Sequence, residues 1–266
     1  RSDGSRYPII EFPDVRRMLM LMKAGTEAMR GLAYVAGAET DLEHFAKSPE
    51  QARKHALRTG LYTPIVKGWM TELAQELTYH GTQIHGGMGY VEETGSAQHY
   101  RDARIMTIYE GTTGIQGLDL VGRKTLGDNG AALQDLLDEI EATARDMSEV
   151  EGLAAMSGSL LGAVKSGAEA REWLLENGSK DRNNAGAASV NFMMLFGYLC
   201  GGWIMGKSAL IADRLLGAGG GDESFLKTKL VTARFYFEHL LPRVGSYLAM
   251  VKAGSESMMA LDEDQF

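Results

Sequence analysis

A chain of 266 residues with 35 acidic against 27 basic side chains, net −8, has no basic surplus with which to neutralise phosphates. That argues against nucleic acid and anionic membranes as partners, while a small anion at one local site stays open. At 44% hydrophobic and 23% charged the composition is that of a soluble globular protein, long enough for two ordinary domains; the single Cys200 excludes an intrachain disulfide and suits a reducing, cytoplasmic setting.

No secretory or transit pattern opens the sequence. Its first residue is Arg1 rather than Met, from which we expect a piece of a longer chain. Val15, Met18, Leu19, Met22, Met29, Ala33 and Ala36 then follow the spacing of one helical face. At "SPEQ", Ser48 can cap a helix, Pro49 suits its first position and Gln51 completes a capping box. Gly60 reads as a stop and Thr63-Pro64 as a restart, with Ile65, Trp69, Leu73 and Leu77 recurring at intervals of four. From Gly81 to Gly114 the helical pattern gives way to a glycine-rich stretch. Helix resumes at Ile115, Leu118 and Val121, and "LGDNG" (126–130) is a turn cluster and the expected domain boundary.

Four further helical patterns follow. Leu133, Leu136, Leu137 and Ile140 mark the first, and Met156, Leu160, Leu161 and Val164 the second, which Gly178 ends. The third runs from about Asp181 to Leu216. After the loop "GAGGG", Asp222 can cap a fourth, which bends near Pro242. The whole predicts an all-α fold: two helical bundles in series, residues 1–127 and 128–266.

Several signals admit a bland reading beside a sharper one. "MKAGTEAM" (22–29) and "VKAGSESM" (251–258) suggest either a duplicated bundle or two helices that each use a glycine for close packing. Gly201, Gly206, Lys207 and Ser208 satisfy the phosphate-loop pattern G-x-x-x-x-G-K-S/T. The bulky Trp203, Ile204 and Met205 inside it would crowd a loop that must wrap an anion, and no segment supplies a parallel sheet. Asn183 to Gly206 carries no formal charge, but its strongly apolar part, Phe192 to Met205, is shorter than the roughly 20 residues of a membrane span. A buried core helix is therefore expected, with no transmembrane segment. His80, His85 and His99 lack metal-ligand spacing, so no metal is expected. Cys200, in an apolar run, reads as an inert thiol.

The chemistry concentrates in "QIHGGMGYVEETGSAQHYRDARIMTIYEGTTGIQG" (83–117). Gly86, Gly87 and Gly89 let backbone approach a ligand closely or adopt positive φ, although an ordinary tight turn reads the same. Gln83 adds a polar group just ahead of them. Arg101, Asp102 and Arg104 read first as partners for one another or for neighbouring helices. Glu110 follows Ile105, Met106, Ile108 and Tyr109. Apolar neighbours disfavour the ionised form of a carboxylate, and one so placed can take up a proton near neutral pH. Gly111 leaves space for a substrate beside it. Thr112 and Thr113 offer a cap for the next helix, whose N–H groups could receive an anion or an oxygen atom. Spacing alone weighs a base and a decorated helix start evenly.

The order and spacing of Gln83–Tyr90, Arg101–Arg104 and Ile108–Thr112 resemble the C-terminal helical domain of acyl-CoA dehydrogenases over roughly residues 1–127. Residues 128–266 are similar to the extra C-terminal helical domain of a bacterial subgroup that includes enzymes like 3-methylthiopropanoyl-CoA dehydrogenase. The resemblance implies α,β-dehydrogenation of an acyl-CoA thioester with FAD, and a cytoplasmic flavoprotein. Glu110 would remove the α-proton, and its backbone N–H would help polarise the thioester carbonyl. Gln83, Gly86, Gly87 and Thr112 match positions that contact FAD, the first three across a subunit interface. Tyr109 and Gly111 match positions lining the acyl or thioester region. Gly114 departs from the pattern, since many relatives carry a second polar cofactor contact, often Gln, there. The resemblance also implies a homodimer or homotetramer, an electron-transfer flavoprotein as electron acceptor, and an N-terminal helical and a central β-domain beyond this chain, without which it would bind FAD poorly and not turn over. The rival reading is a helical docking or oligomerisation module, in which the 192–205 helix covers a partner or the rest of its own protein.

Overall fold

The computed structural model describes residue 4 and residues 6–266; residues 1–3 and 5, where the first expected segment begins, lie outside the described residues. No strand occurs among the described residues, and the chain is all-α as the periodicity predicts. Helices α1 (Pro13–His44) and α2 (Pro49–Ile84), each on the order of 50 Å long by the α-helical rise, pack along one another. Short helices α3 (Gly87–Tyr90), α4 (Ser96–Ile105) and α5 (Thr113–Leu118) follow, and α5 continues as a π-helical stretch, Asp119–Thr125. Beyond the turn come α6 (Ala131–Ser148), α7 (Ala154–Trp173), α8 (Arg182–Gly217), α9 (Glu223–His239) and α10 (Arg243–Lys252).

Several helix ends are where the sequence sets them. Ser48 Oγ accepts from Gln51 N at 3.2 Å, while the Gln51 side chain takes the Lys47 N–H rather than that of Ser48. Asp222 accepts from Phe225 N at 3.1 Å. In the 126–130 turn Asn129 and Gly130 have φ of 56° and 72°, and the Asp128 carboxylate accepts from Gly130 N and Ala132 N, both at 2.9 Å, to start α6. Near Pro242 the chain breaks rather than bends, since α9 ends at His239 and α10 starts at Arg243.

Two expectations fail. Gly60 and Pro64 do not interrupt α2. An internal proline removes one hydrogen bond and crowds the carbonyl four residues back, at a cost of about 3 kcal/mol. Unbroken, α2 buries Leu61, Ile65, Leu73 and Leu77 on one face, each worth about 1.5–3 kcal/mol, so packing wins. Neither reading of the repeated octapeptide holds for both copies: Gly25 packs in mid-α1, whereas Gly254 is past the end of α10 with φ 70°, so the two are neither equivalent positions of a duplicated bundle nor both helix-packing glycines.

The centre of the molecule is α8. Every residue from Phe192 to Gly206 is buried, as a helix apolar on all sides requires. It packs against α1, α2 and α5 as well as α6, α7, α9 and α10, so buried side chains from both sides of the 126–130 turn form one core. Although α8 is long and apolar enough to cross a membrane, its apolar window is 89% buried within the fold. The phosphate-loop pattern lies inside this helix, with Lys207 Nζ 4.6 Å from the Trp203 ring centre instead of facing an anion site. Burial pushes the Cys200 thiol up to about 12.

Two contacts fix α8 on α2. At Gly197 a Cβ would stand 2.0 Å from Trp69 Cγ, so the indole occupies the place of a side chain. Beside it, Arg243 of α10 grips Glu76 of α2 with both guanidinium nitrogens, at 2.5 and 2.6 Å, and donates to Tyr198 Oη at 2.8 Å. Burial by itself would raise the Glu76 carboxyl; the hydrogen bonds and charge of Arg243 outweigh it and hold that carboxyl below the ordinary carboxylate range. Burial pushes the Tyr198 phenol up to about 12.

Gly197→Ala should therefore destabilise the fold by about 1–3 kcal/mol, read as a lowered melting temperature. Gly162→Ala on the open side of α7, where nothing lies within 4 Å of the added methyl, should be neutral or stabilising. A depressed folded-state carboxyl contributes stability above its unfolded value and loses it as pH falls. Urea titrations of wild type and Glu76→Gln should accordingly differ by about 2 kcal/mol near pH 7, and the gap should close as pH drops below about 4.5, the ordinary glutamate value.

Candidate active site

The loop between α4 and α5 carries Tyr109, Glu110, Gly111 and Thr112 on consecutive residues. Its two ends are joined by Thr113 N–H donating to Thr107 O at 3.2 Å, and Thr107 is buried beneath it. Thr112 caps α5, its Oγ accepting from Ile115 N at 3.5 Å. The glycine-lined seat of α5 explains the loop's height on the surface: at Gly117 a Cβ would stand 2.9 Å from the Ser189 backbone, so α5 rests directly on α8.

Glu110 has φ 53° and Gly111 φ 89°. Gly111 adopts that region freely. A glutamate there carries a steric cost of about 1–2 kcal/mol, and it is held by side chains on two neighbouring helices. Gln116 Nε2 donates to the Glu110 carbonyl at 3.1 Å, and Lys67 Nζ donates to the Gly111 carbonyl at 2.5 Å. Thr113 Oγ1 donates to Glu72 Oε1 at 2.5 Å, and Gln75 Nε2 donates to Ala103 O at 2.6 Å. A hydrogen bond from a charged donor is worth about 1.5–3 kcal/mol, so the lysine contact alone offsets the strain. Both carbonyls are thus turned inward. The Glu110 N–H finds no acceptor among the described residues.

Contrary to the sequence reading, apolar neighbours do not bury Glu110 within this chain. Its side chain is exposed, as are Ile105, Met106, Ile108, Tyr109, Ile115 and Leu118 around it. The apolar residues form a surface about the carboxylate instead of a wall over it, because the α4–α5 loop stands at the edge of the core with only Thr107 tucked in.

Gln83, Gly86 and Gly87 form a second group at the end of α2. Gly86 has φ 60°, and open space surrounds the Cα of both glycines, so their backbone is accessible. Gln83 lines an open groove of about 900 Å³ with Tyr79, Tyr90, Tyr100, Arg101 and Arg104. Glu110 does not line this groove, so the structure does not bring the two predicted groups into one cavity. Glu92 and Glu93 line the groove as well, so its aromatic faces suit a flat ring system while its charge is mixed. Arg101 pairs with Glu92 and Arg104 bonds Thr107 Oγ1, so both make structural contacts, although not with one another, and Arg104 reaches only just past the end of its own helix. His85 Nδ1 is 2.7 Å from Gly81 O, and the described residues contain no cluster of three or more potential metal ligands.

Sequence reading misses Lys67, Glu72 and Gln116. The first two lie 44 and 41 residues from their partners, in a helix whose pattern shows only its apolar face. Gln116 lies within the 83–117 stretch, but nothing in its spacing reveals a bond to residue 110.

This all-α arrangement, with a YEGT loop above a buried central helix, has counterparts among known proteins. Residues 2–125 match the family described as "Acyl-CoA dehydrogenase, C-terminal domain", and residues 136–262 match "Acetyl-CoA dehydrogenase C-terminal like". The chain belongs to the acyl-CoA dehydrogenase family, of which it represents the C-terminal part. It is 43% identical over 263 residues to 3-methylmercaptopropionyl-CoA dehydrogenase of Ruegeria pomeroyi, covering 97% of this chain and 44% of that protein. It is 30% identical over 282 residues to a broad-specificity linear acyl-CoA dehydrogenase of Mycobacterium tuberculosis, covering 98% and 44%. The chain therefore spans less than half the length of these relatives. A crystal structure of an acyl-CoA dehydrogenase complexed with FAD from Bacillus anthracis shares the fold, with a TM-score of 0.71 at 20% identity over 94% of this chain and 44% of that one.

Proposed function

We propose that the chain is the base-bearing part of a longer, FAD-dependent acyl-CoA dehydrogenase, in which Glu110 takes the α-proton of an acyl-CoA thioester. The observation that carries this reading is the held left-handed backbone at Glu110 and Gly111. An α-C–H beside a thioester is a weak acid, and its removal needs a base at a fixed distance and angle. Inward-turned carbonyls leave the Glu110 carboxylate and N–H on the outer side of the loop. From there the N–H can donate to a thioester oxygen as charge develops on it, while the carboxylate receives the proton. The exposed rim of Ile108, Ile115 and Leu118 is a surface that an acyl chain and the remainder of the protein would cover, taking Glu110 out of bulk water. Tyr109 and Gly111 would line the thioester end of that pocket.

When bound, FAD supplies the acceptor for the hydride that leaves the β-carbon. Thr112 would contact it from the same loop as the base. Gln83, Gly86 and Gly87 would contact the flavin dinucleotide of a neighbouring subunit, a division of labour supported by the separation of the Gln83 groove from Glu110. The assembly is then a homodimer or homotetramer, and its electrons pass to an electron-transfer flavoprotein. Residues 128–266 act as a buttress, since α8 supports both α2 and α5.

In the full-length enzyme, Glu110→Gln should slow anaerobic flavin bleaching by acyl-CoA by about 10²- to 10⁴-fold, the usual contribution of a general base, with FAD still bound. Bleaching at the wild-type rate would remove Glu110 from the reaction.

A further inference from the structure

We infer that Lys67 is a positioning residue for the proposed base: it sets the backbone of the Glu110–Gly111 pair and so the direction in which the carboxylate points. This rests on the reading of Glu110 given above, but its physical content is separate. Lys67 sits at mid-length in α2, half-buried, one residue before the buried Gly68 and two before the fully buried Trp69, so the helix that carries it is anchored in the core. Its ammonium group reaches the Gly111 carbonyl at 2.5 Å and lies 5.9 Å from the Tyr109 ring centre. It therefore touches the residues on either side of Glu110 and not Glu110 itself.

The geometry explains why a cation is needed at this point. Residues 110 and 111 are both left-handed, which turns their carbonyls toward the protein. The Glu110 carbonyl has the Gln116 amide, but Gly111 O faces α2, where only a long side chain rooted several ångströms below can meet it. A flexible four-carbon stem ending in a point charge suits that task. Glu72, five residues further along α2, accepts from Thr113 and fixes the other side of the loop. A non-glycine residue at positive φ persists only where its surroundings over-determine it. Without the ammonium group, the Gln116 amide and the Glu72–Thr113 bond alone oppose the strain, so residue 110 leaves the left-handed region more often and the carboxylate swings with it.

The test uses the full-length flavoenzyme carrying Lys67→Met, Lys67→Arg or Glu110→Gln, each checked for bound FAD and for a single cooperative melting transition above the assay temperature. Hydrogen exchange over residues 105–116, measured without substrate, reads the loop; anaerobic single-turnover flavin reduction reads the chemistry. Lys67→Met should speed exchange of that peptide about tenfold and lower the limiting reduction rate about 10- to 100-fold, with the half-saturating acyl-CoA concentration within twofold. Lys67→Arg should recover part of both, and Glu110→Gln should leave the exchange slow. Lys67→Met with wild-type exchange, or with fast exchange and a wild-type reduction rate while Glu110→Gln is inactive, overturns the inference. Fast exchange in Lys67→Met together with an active Glu110→Gln would keep the lysine clamp and overturn the assignment of the base instead.

Discussion

Everything else in this molecule is arranged around the seating of the uncharged stretch of α8 against an indole. Trp69 enters α8 where residue 197 has no side chain, and the two helices approach as closely as backbone and ring allow. Dispersion contacts at that distance are numerous and individually small. Their sum depends on the absence of one methyl group, so the constraint is strict in a way that ordinary apolar burial is not. The Arg243–Glu76 pair and the Tyr236 Oη to Tyr198 O hydrogen bond of 3.0 Å lie next to this contact and satisfy their own polar groups, whereas the buried Trp69 indole N–H finds no acceptor among the described residues, a cost that the packing must outweigh.

The candidate site inherits its rigidity from that seating. One face of α2 meets α8 through Trp69, and Lys67, Glu72 and Gln75 of the same helix reach the α4–α5 segment. The other anchor, α5, lies on α8 at Ser189. A loop with two successive left-handed residues is thus fixed at both ends to elements that cannot shift without disturbing the core. The proposed base can then stand on the surface of the chain and still be directed, because order comes from the main chain beneath it and not from burial of its own side chain.

Features set by neighbouring residues were legible in the sequence. The Ser48 and Asp222 caps, the left-handed turn at 129–130, the all-α class and the fully buried stretch within α8 all follow from short-range pattern. Features set by distant partners were not. Pro64 reads as a break because the local cost of a proline is visible, whereas the gain from burying Leu61, Ile65, Leu73 and Leu77 together depends on α1, where Leu73 and Leu77 meet Gly25, and on α8 much further along the chain. The motif around Glu110 singled out the residue proposed as the base. It could not show that the apolar neighbours lie beside the carboxylate at the surface, because the hydrophobicity of a five-residue stretch does not say which way its side chains turn. The Lys67 contact is illegible for the same reason: one lysine on a long helix has no signature until the fold brings a carbonyl to it.

The tight turn at Asn129 and Gly130 has a consequence for how the chain can be divided. A polar, glycine-containing turn looks like a convenient place to cut, but the polypeptide leaving it returns to cap Trp69, support Gly117 and neutralise Glu76. Severed there, the upstream piece would present a greasy trough with an unmatched carboxylate beside it, and the downstream piece a bare hydrophobic rod. Recombination or truncation at this turn should therefore yield sticky halves rather than two self-sufficient modules.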